Sequence, residues 1–213
     1  MNIAVLVSGG GTNLQALLDA QRADELGGGK IVRVIASRAD AYALERAAKA
    51  GISTAVVERS SFANAAEFDS ALLAELSACN AELVVLAGFL CILGADVVAA
   101  YPNRILNVHP ALIPAFSGQG FYGLRVHEAV LAQGVRVTGA TVHLVNDIPD
   151  GGPIVYQKAV RVFNDDTPEK LQRRVMEQAE WPLLTRAVAR MCEGNIHVEG
   201  NRAVAMDSPA HPY

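Results

Sequence analysis

The chain has 213 residues, a formal net charge of −4 and 51% hydrophobic residues. That length fits one domain with a full core, and the apolar content excludes disorder as the main state. The acidic balance argues against a general nucleic-acid binder but leaves room for one local phosphate site.

The three cysteines, Cys79, Cys91 and Cys192, form neither a CxxC pair nor a zinc spacing. They point to a reduced, cytoplasmic protein with no metal. Residues 1–8 lack a basic leader, so no targeting segment is expected. The run from Leu83 to Ala100 reaches the minimum membrane-spanning length, but Gly88, Gly94 and Asp96 interrupt it. It reads as a buried strand, a loop and a helix, so no membrane association is expected.

Residues 2–7 form an apolar strand, followed by a Ser8-Gly-Gly-Gly-Thr-Asn13 loop and a helix over 14–23. Glycines let backbone N–H groups approach an anion, and a helix start adds partial positive charge. The spacing matches neither a dinucleotide fingerprint nor a P-loop, so it suits a single phosphate. A ligand-free glycine turn would look the same. Strands over 31–36, 53–57 and 83–87 alternate with helices over 41–50 and 65–78. The latter carries Phe68, Leu72, Leu73 and Leu76 at core spacing. This alternation predicts a doubly wound, Rossmann-like α/β fold with a mostly parallel, right-handed sheet. Ligands in such sheets bind beyond the strand carboxyl ends.

A strand over 105–108 is cut off by Pro110, and Asn107 and His109 project from one face of it. An amide can donate to a developing oxyanion, and an imidazole can carry a proton or a charge. A turn asparagine and a satisfied surface histidine would read the same way. The Pro- and Gly-rich loop over 110–123 has the length of a functional loop, and a cis peptide is expected at Ile113–Pro114. A helix over 125–133 follows. Strands over 137–145 and 154–162, joined by a turn with Asp147 and Asp150, predict an antiparallel hairpin. Thr167 caps a long helix from Pro168 to Cys192, which Gly194 ends. A small hairpin spans residues 196–205, and a loose tail is expected over 206–213. No repeat or linker divides the chain, so residues 1–213 read as one domain.

These residues resemble the phosphoribosylglycinamide formyltransferases, the folate-dependent enzymes of purine synthesis, over nearly the whole chain. The motifs are Val-Leu-Val-Ser-Gly-Gly-Gly-Thr-Asn-Leu-Gln15, Leu-Ala-Gly-Phe89, Asn-Val-His-Pro-Ala-Leu-Ile-Pro114, Thr-Val-His-Leu-Val145 and Asp-Gly-Gly-Pro153. The resemblance implies formyl transfer from 10-formyltetrahydrofolate to the amine of glycinamide ribonucleotide, without a metal. It implies Gly11, Thr12, Asn13 and Leu14 as the phosphate loop, and Asn107, His109 and Asp150 as the catalytic trio. It implies Leu90, Cys91, Ile92 and Leu93, with Asn146, Asp147, Ile148, Pro149 and Asp150, as the folate segments. Asn107 belongs to both the catalytic and the folate set. In that chemistry Asn107 and a protonated His109 would stabilise the oxyanion, with Asp150 raising the histidine pKa.

A carboxylate for the glycinamide end falls on Glu180, with Glu177 its rival. His143 reads equally as catalytic or as a satisfied strand histidine. His127 is expected to cap or pack the loop, and His197 and His211 to lie on the surface. Two positions depart from many relatives, where arginines stand in place of Cys91 and Ala65, both expected on the folate side. The 117–122 stretch is also longer than in the shortest relatives. Within the fold, a formyltetrahydrofolate hydrolase or a methionyl-tRNA formyltransferase would carry a further domain for which this chain leaves no room. A non-catalytic nucleotide-binding module is the rival from another class. Monomer and homodimer both remain open.

Overall fold

The strands Asn2–Val7 (β1) and Leu83–Leu86 (β4) lie at the centre of the sheet because their side chains find apolar cover on both faces. In β1, Ile3, Val5 and Val7 enter one core cluster, and Ala4 and Leu6 the other. The first cluster is closed by Thr12–Arg22 (α1), Ala43–Lys49 (α2) and the C-terminal helices. The second is closed by Ala65–Ala78 (α3) and Ala95–Ala100 (α4). Phe68, Leu72 and Leu76 of α3 are almost wholly buried, and each stabilises the fold by about 1.5–3 kcal/mol.

The computed structural model describes residues 1–206, so most of the expected tail and His211 lie outside the described residues. Lys30–Ala36 (β2), Ser53–Val56 (β3), Ile105–His109 (β5), Val137–Leu144 (β6) and Ile154–Arg161 (β7) complete a seven-stranded sheet in the order β3-β2-β1-β4-β5-β6-β7. Pairing is parallel from β3 through β5 and antiparallel for β6 and β7, as the hairpin reading requires. The two short strands Ile196–Glu199 (β8) and Arg202–Ala205 (β9) form a separate hairpin. Between β1 and β4 the connections diverge to opposite sides. The crevice beyond their carboxyl ends is where such sheets bind ligands.

Helix Leu124–Ala132 (α5) follows the long loop. The Ile113–Pro114 peptide in that loop is cis, as expected. The final helical run departs from the sequence reading. Thr167 caps Pro168–Val175 (α6), accepting from the Lys170 N–H at 3.3 Å. The run does not continue as one regular helix, because Met176–Glu180 is a π-helical turn before Trp181–Cys192 (α7). Pro182 supplies a physical reason. In a regular helix its ring would clash with the carbonyl of residue 178 and leave that carbonyl without a donor, and widening by one residue relieves both. The consequence is positional: Glu180 is buried, while Glu177 stays exposed.

Among the described residues no helix is long and apolar enough to cross a membrane.

Candidate active site

A cavity of about 690 Å³ opens at the carboxyl ends of β1, β4 and β5, within the usual size of a small-molecule site. It brings together the glycine loop, the 87–93 loop after β4, the end of β5, the 118–123 loop and the 145–150 turn. Asn107, His109 and Asp150, far apart in sequence, all line it.

The strand geometry explains the trio. Asn107 and His109 sit two apart on β5 and pair with His143 and Thr141 of β6. A bulge between Val142 and His143 shifts the β6–β7 register beside the site. Asp150 adopts a left-handed backbone (φ 54°), as does Phe116 (φ 51°). Such conformations are strained for non-glycine residues and collect at functional sites.

Each side chain has an assignable hydrogen-bond role. His109 Nε2 lies 2.7 Å from the Phe116 carbonyl. A carbonyl can only accept, so Nε2 carries the proton. Nδ1 then faces Asp150 Oδ2 at 3.5 Å, too long for a strong hydrogen bond. Asp150 Oδ2 also accepts the Gly118 N–H at 2.8 Å. By the same logic His143 Nδ1 donates to the Leu144 carbonyl at 2.9 Å. Its Nε2 can then accept from Asn107 Nδ2 at 3.1 Å, and it stands 3.5 Å from Asp150 Oδ1. His143 therefore orients the Asn107 amide and leaves its second N–H available.

The electrostatics correct one expectation. Burial pushes the His109 pKa down, and this outweighs the upward push from Asp150 and the Phe116 carbonyl; His143 adds to the lowering. Asp150 acts in the expected direction, but the net shift is downward, so His109 is mainly neutral at pH 7. For Asp150, burial raises the carboxyl, yet the adjacent His143 and His109 imidazoles and the Gly118 N–H together hold it below its ordinary value.

At the glycine loop, Gly11 is the residue before α1, with φ 71°. Among the described residues no side chain caps the helix. The first intrahelical bond runs from the Gln15 N–H to the Gly11 carbonyl, which leaves the N–H groups of Thr12, Asn13 and Leu14 free for an anion. The Leu14 side chain is fully buried in the core, so its contribution to such a site is its N–H alone. Asn13 Nδ2 donates to Glu180 Oε2 at 2.8 Å. Asn13 Oδ1 is buried with no partner among the described residues. Burial raises the Glu180 pKa to about 7, against the Asn13 hydrogen bond. A carboxyl and an amide oxygen side by side suit a group rich in N–H donors.

The folate segments of the sequence reading both line the cavity, with exposed Leu90, Ile92 and Ile148. Burial pushes the Cys91 thiol up, disfavouring a reactive thiolate. Ser8 Oγ accepts from the Leu90 N–H at 2.8 Å, and buried Asp69 accepts from Gly94 at 3.1 Å. Both hold the 88–94 loop in place. Ala65, expected on the folate side, is the exposed first residue of α3 and lies outside the cavity lining.

His127 makes no capping hydrogen bond among the described residues. It is fully buried on α5 in the cavity wall, and burial lowers its pKa to about 4. His197 is exposed, as expected. The sequence reading missed the Phe116 carbonyl, the Gly118 N–H, and Gln172 and Met176 in the lining. The backbone partners leave no side-chain signature, and Gln172 and Met176 reach the site only through the helical run that Pro182 widens. Among the described residues no group of His, Cys, Asp or Glu is arranged to hold a metal ion.

Comparison with known proteins fits this geometry. Residues 1–188 match the family model described as formyl transferase, and the chain belongs to that family. Its curated relatives narrow the membership. Phosphoribosylglycinamide formyltransferase of Escherichia coli is 38% identical over 95% of this chain and 92% of its own length. The chloroplastic phosphoribosylglycinamide formyltransferase of Arabidopsis thaliana is 39% identical over 91% of this chain, which spans 66% of the plant protein. The structure of glycinamide ribonucleotide transformylase 1 from Symbiobacterium toebii superposes with a TM-score of 0.91 at 41% identity, covering 97% of this chain and 94% of that one. Within the formyl transferases, the chain is a member of the phosphoribosylglycinamide formyltransferase group.

Proposed function

We propose that the cavity transfers the formyl group of 10-formyltetrahydrofolate to the amine of glycinamide ribonucleotide. The observation that carries this reading is the convergence of Asn107, His109 and Asp150 on one cavity that also holds the uncapped start of α1. The phosphate would sit on the free N–H groups of residues 12–14, the glycinamide end near Glu180 and Asn13, and the pterin along residues 88–93 and 145–150. Three free thiols fit a reduced cytoplasmic setting.

In this mechanism a neutral His109 acts first as a base. The substrate amine attacks the formyl carbon, its nitrogen becomes positive and the formyl oxygen negative. Asn107 donates its free N–H to that oxygen. The amine proton passes to His109 Nδ1. The resulting imidazolium lies between the Phe116 carbonyl and the Asp150 carboxylate, which favour the charged form as it appears. His109 then hands the proton to N10 of the folate as the carbon–nitrogen bond breaks, releasing tetrahydrofolate and the formylated amide. Burial keeps the imidazole in its uncharged free-base form beforehand, and the two acceptors stabilise the imidazolium afterwards.

The test is a steady-state assay of the purified chain with both substrates. Donor consumption that requires glycinamide ribonucleotide, and that is lost in His109→Ala, supports the reading. Donor consumption indifferent to the ribonucleotide would overturn it.

A further inference from the structure

Among the described residues the wall of the cavity contains no lysine or arginine. A phosphate there would meet neutral dipoles and no lysine or arginine, unless a cation acts from behind the loop. Behind the loop lies α2. The Ala43 N–H donates to the Gly9 carbonyl at 3.1 Å, and Arg46 Nε donates to the Gly10 carbonyl at 2.8 Å. A Cβ on Gly11 would stand 2.6 Å from Ala43 Cβ and 3.4 Å from Arg46 Cδ, so the helix is pressed against the loop. Arg46 Nη1 also donates to Gln15 Oε1 at 2.9 Å, tying the loop to the first turn of α1. Its guanidinium stacks 5.1 Å from the Tyr42 ring centre.

The planar peptide turns these contacts into a direction. In a trans peptide the C=O and N–H point opposite ways. Holding the Gly9 and Gly10 carbonyls against α2 therefore turns the N–H groups of Gly10 and Gly11 away from α2, toward the cavity that both glycines line. Glycine peptides rotate at little steric cost. Without a donor on the Gly10 carbonyl, the 10–11 peptide could present its oxygen to the phosphate instead.

We propose that Arg46 is the positioning residue of the phosphate loop: it fixes the Gly10–Gly11 peptide so that N–H groups face the substrate's phosphate, and it supplies the positive charge that the cavity wall lacks. This rests on the reading of the loop as a phosphate site. Arg46 does not touch the reacting atoms, so its loss should fall on phosphate affinity and leave the chemical step intact.

The test uses the full chain with Arg46→Ala and the better space-filling Arg46→Gln. Inorganic phosphate binding is measured by calorimetry, and kcat and KM are measured for both substrates and for the dephosphorylated glycinamide riboside. A lost charged hydrogen bond predicts about tenfold weaker phosphate binding and an equal rise in KM for the ribonucleotide. Turnover, the folate KM and the riboside kinetics should stay within about twofold of wild type, a margin below the scale of one lost hydrogen bond. Phosphate binding unchanged in both variants would overturn the proposal. So would an equal loss on riboside and ribonucleotide, which marks a general structural defect. Arg46-dependent phosphate binding in a protein that transfers no formyl group would refute the activity and leave this inference standing.

Discussion

Glu180→Gln separates stability from function at one buried carboxyl. Glu180 is 6% exposed, and its carboxyl is held at about 7 instead of its ordinary 4.5. At 1.36 kcal/mol per pH unit that difference corresponds to an upper figure of about 3 kcal/mol. The sign follows from proton uptake. Between pH 4.5 and 7 the unfolded chain has ionised this group while the folded protein keeps it protonated, so stability falls as pH rises through that window and levels off above it. Glutamine has nearly the same shape, can still accept from Asn13, and does not ionise. The variant should match wild type below pH 4.5 and exceed it by up to about 3 kcal/mol at pH 8. Urea unfolding of both proteins at pH 4 and pH 8 reads this directly as a difference of differences. The same substitution should raise KM for glycinamide ribonucleotide about tenfold, because a charged acceptor is lost. An equal stability difference at both pH values would refute the assignment of a buried, proton-holding carboxyl.

Other outcomes follow from the same geometry. His109→Ala and Asp150→Asn should each lower kcat by about 10²-fold or more with KM little changed, and near-normal turnover of His109→Ala would reject its central role. Gly11→Ala should destabilise the protein by about 1–3 kcal/mol, since φ is 71° and the new Cβ would meet Ala43; an unchanged melting temperature would contradict this. Cys91→Arg should leave the donor KM within about twofold if the 90–93 segment binds through its main chain. A tenfold rise in a folded variant would show that the side chain governs that contact.

Much of this was legible in the sequence because it rests on local chemistry. Continuous apolar runs mark β1 and β4, apolar residues at helical spacing mark α3, and the cap at Thr167 follows from its residue type and position. The spacing of Asn107 and His109 places both side chains on one face of β5 before any fold is known. The missing parts depend on contacts that no short window contains. A π-helical turn shifts the helical phase by one residue, too small a change to read in a short apolar pattern, and Pro182 was its local signal. The charge of His109 is a contest between burial and Asp150, and burial is set by the whole fold. His127 looks like a loop histidine until α5 is packed. Arg46 lies 36 residues from the glycine carbonyl it holds, with α1 and β2 in between.

The central claim is that this cavity moves a formyl group between two bound molecules. It is tested most directly by following ¹³C from the labelled formyl carbon of 10-formyltetrahydrofolate by NMR, with glycinamide ribonucleotide present. The account predicts that the label leaves the folate nitrogen and appears on the glycinamide nitrogen, and that the transfer disappears with His109→Ala. Label accumulating as free formate would contradict it, making the protein a hydrolase of the same fold.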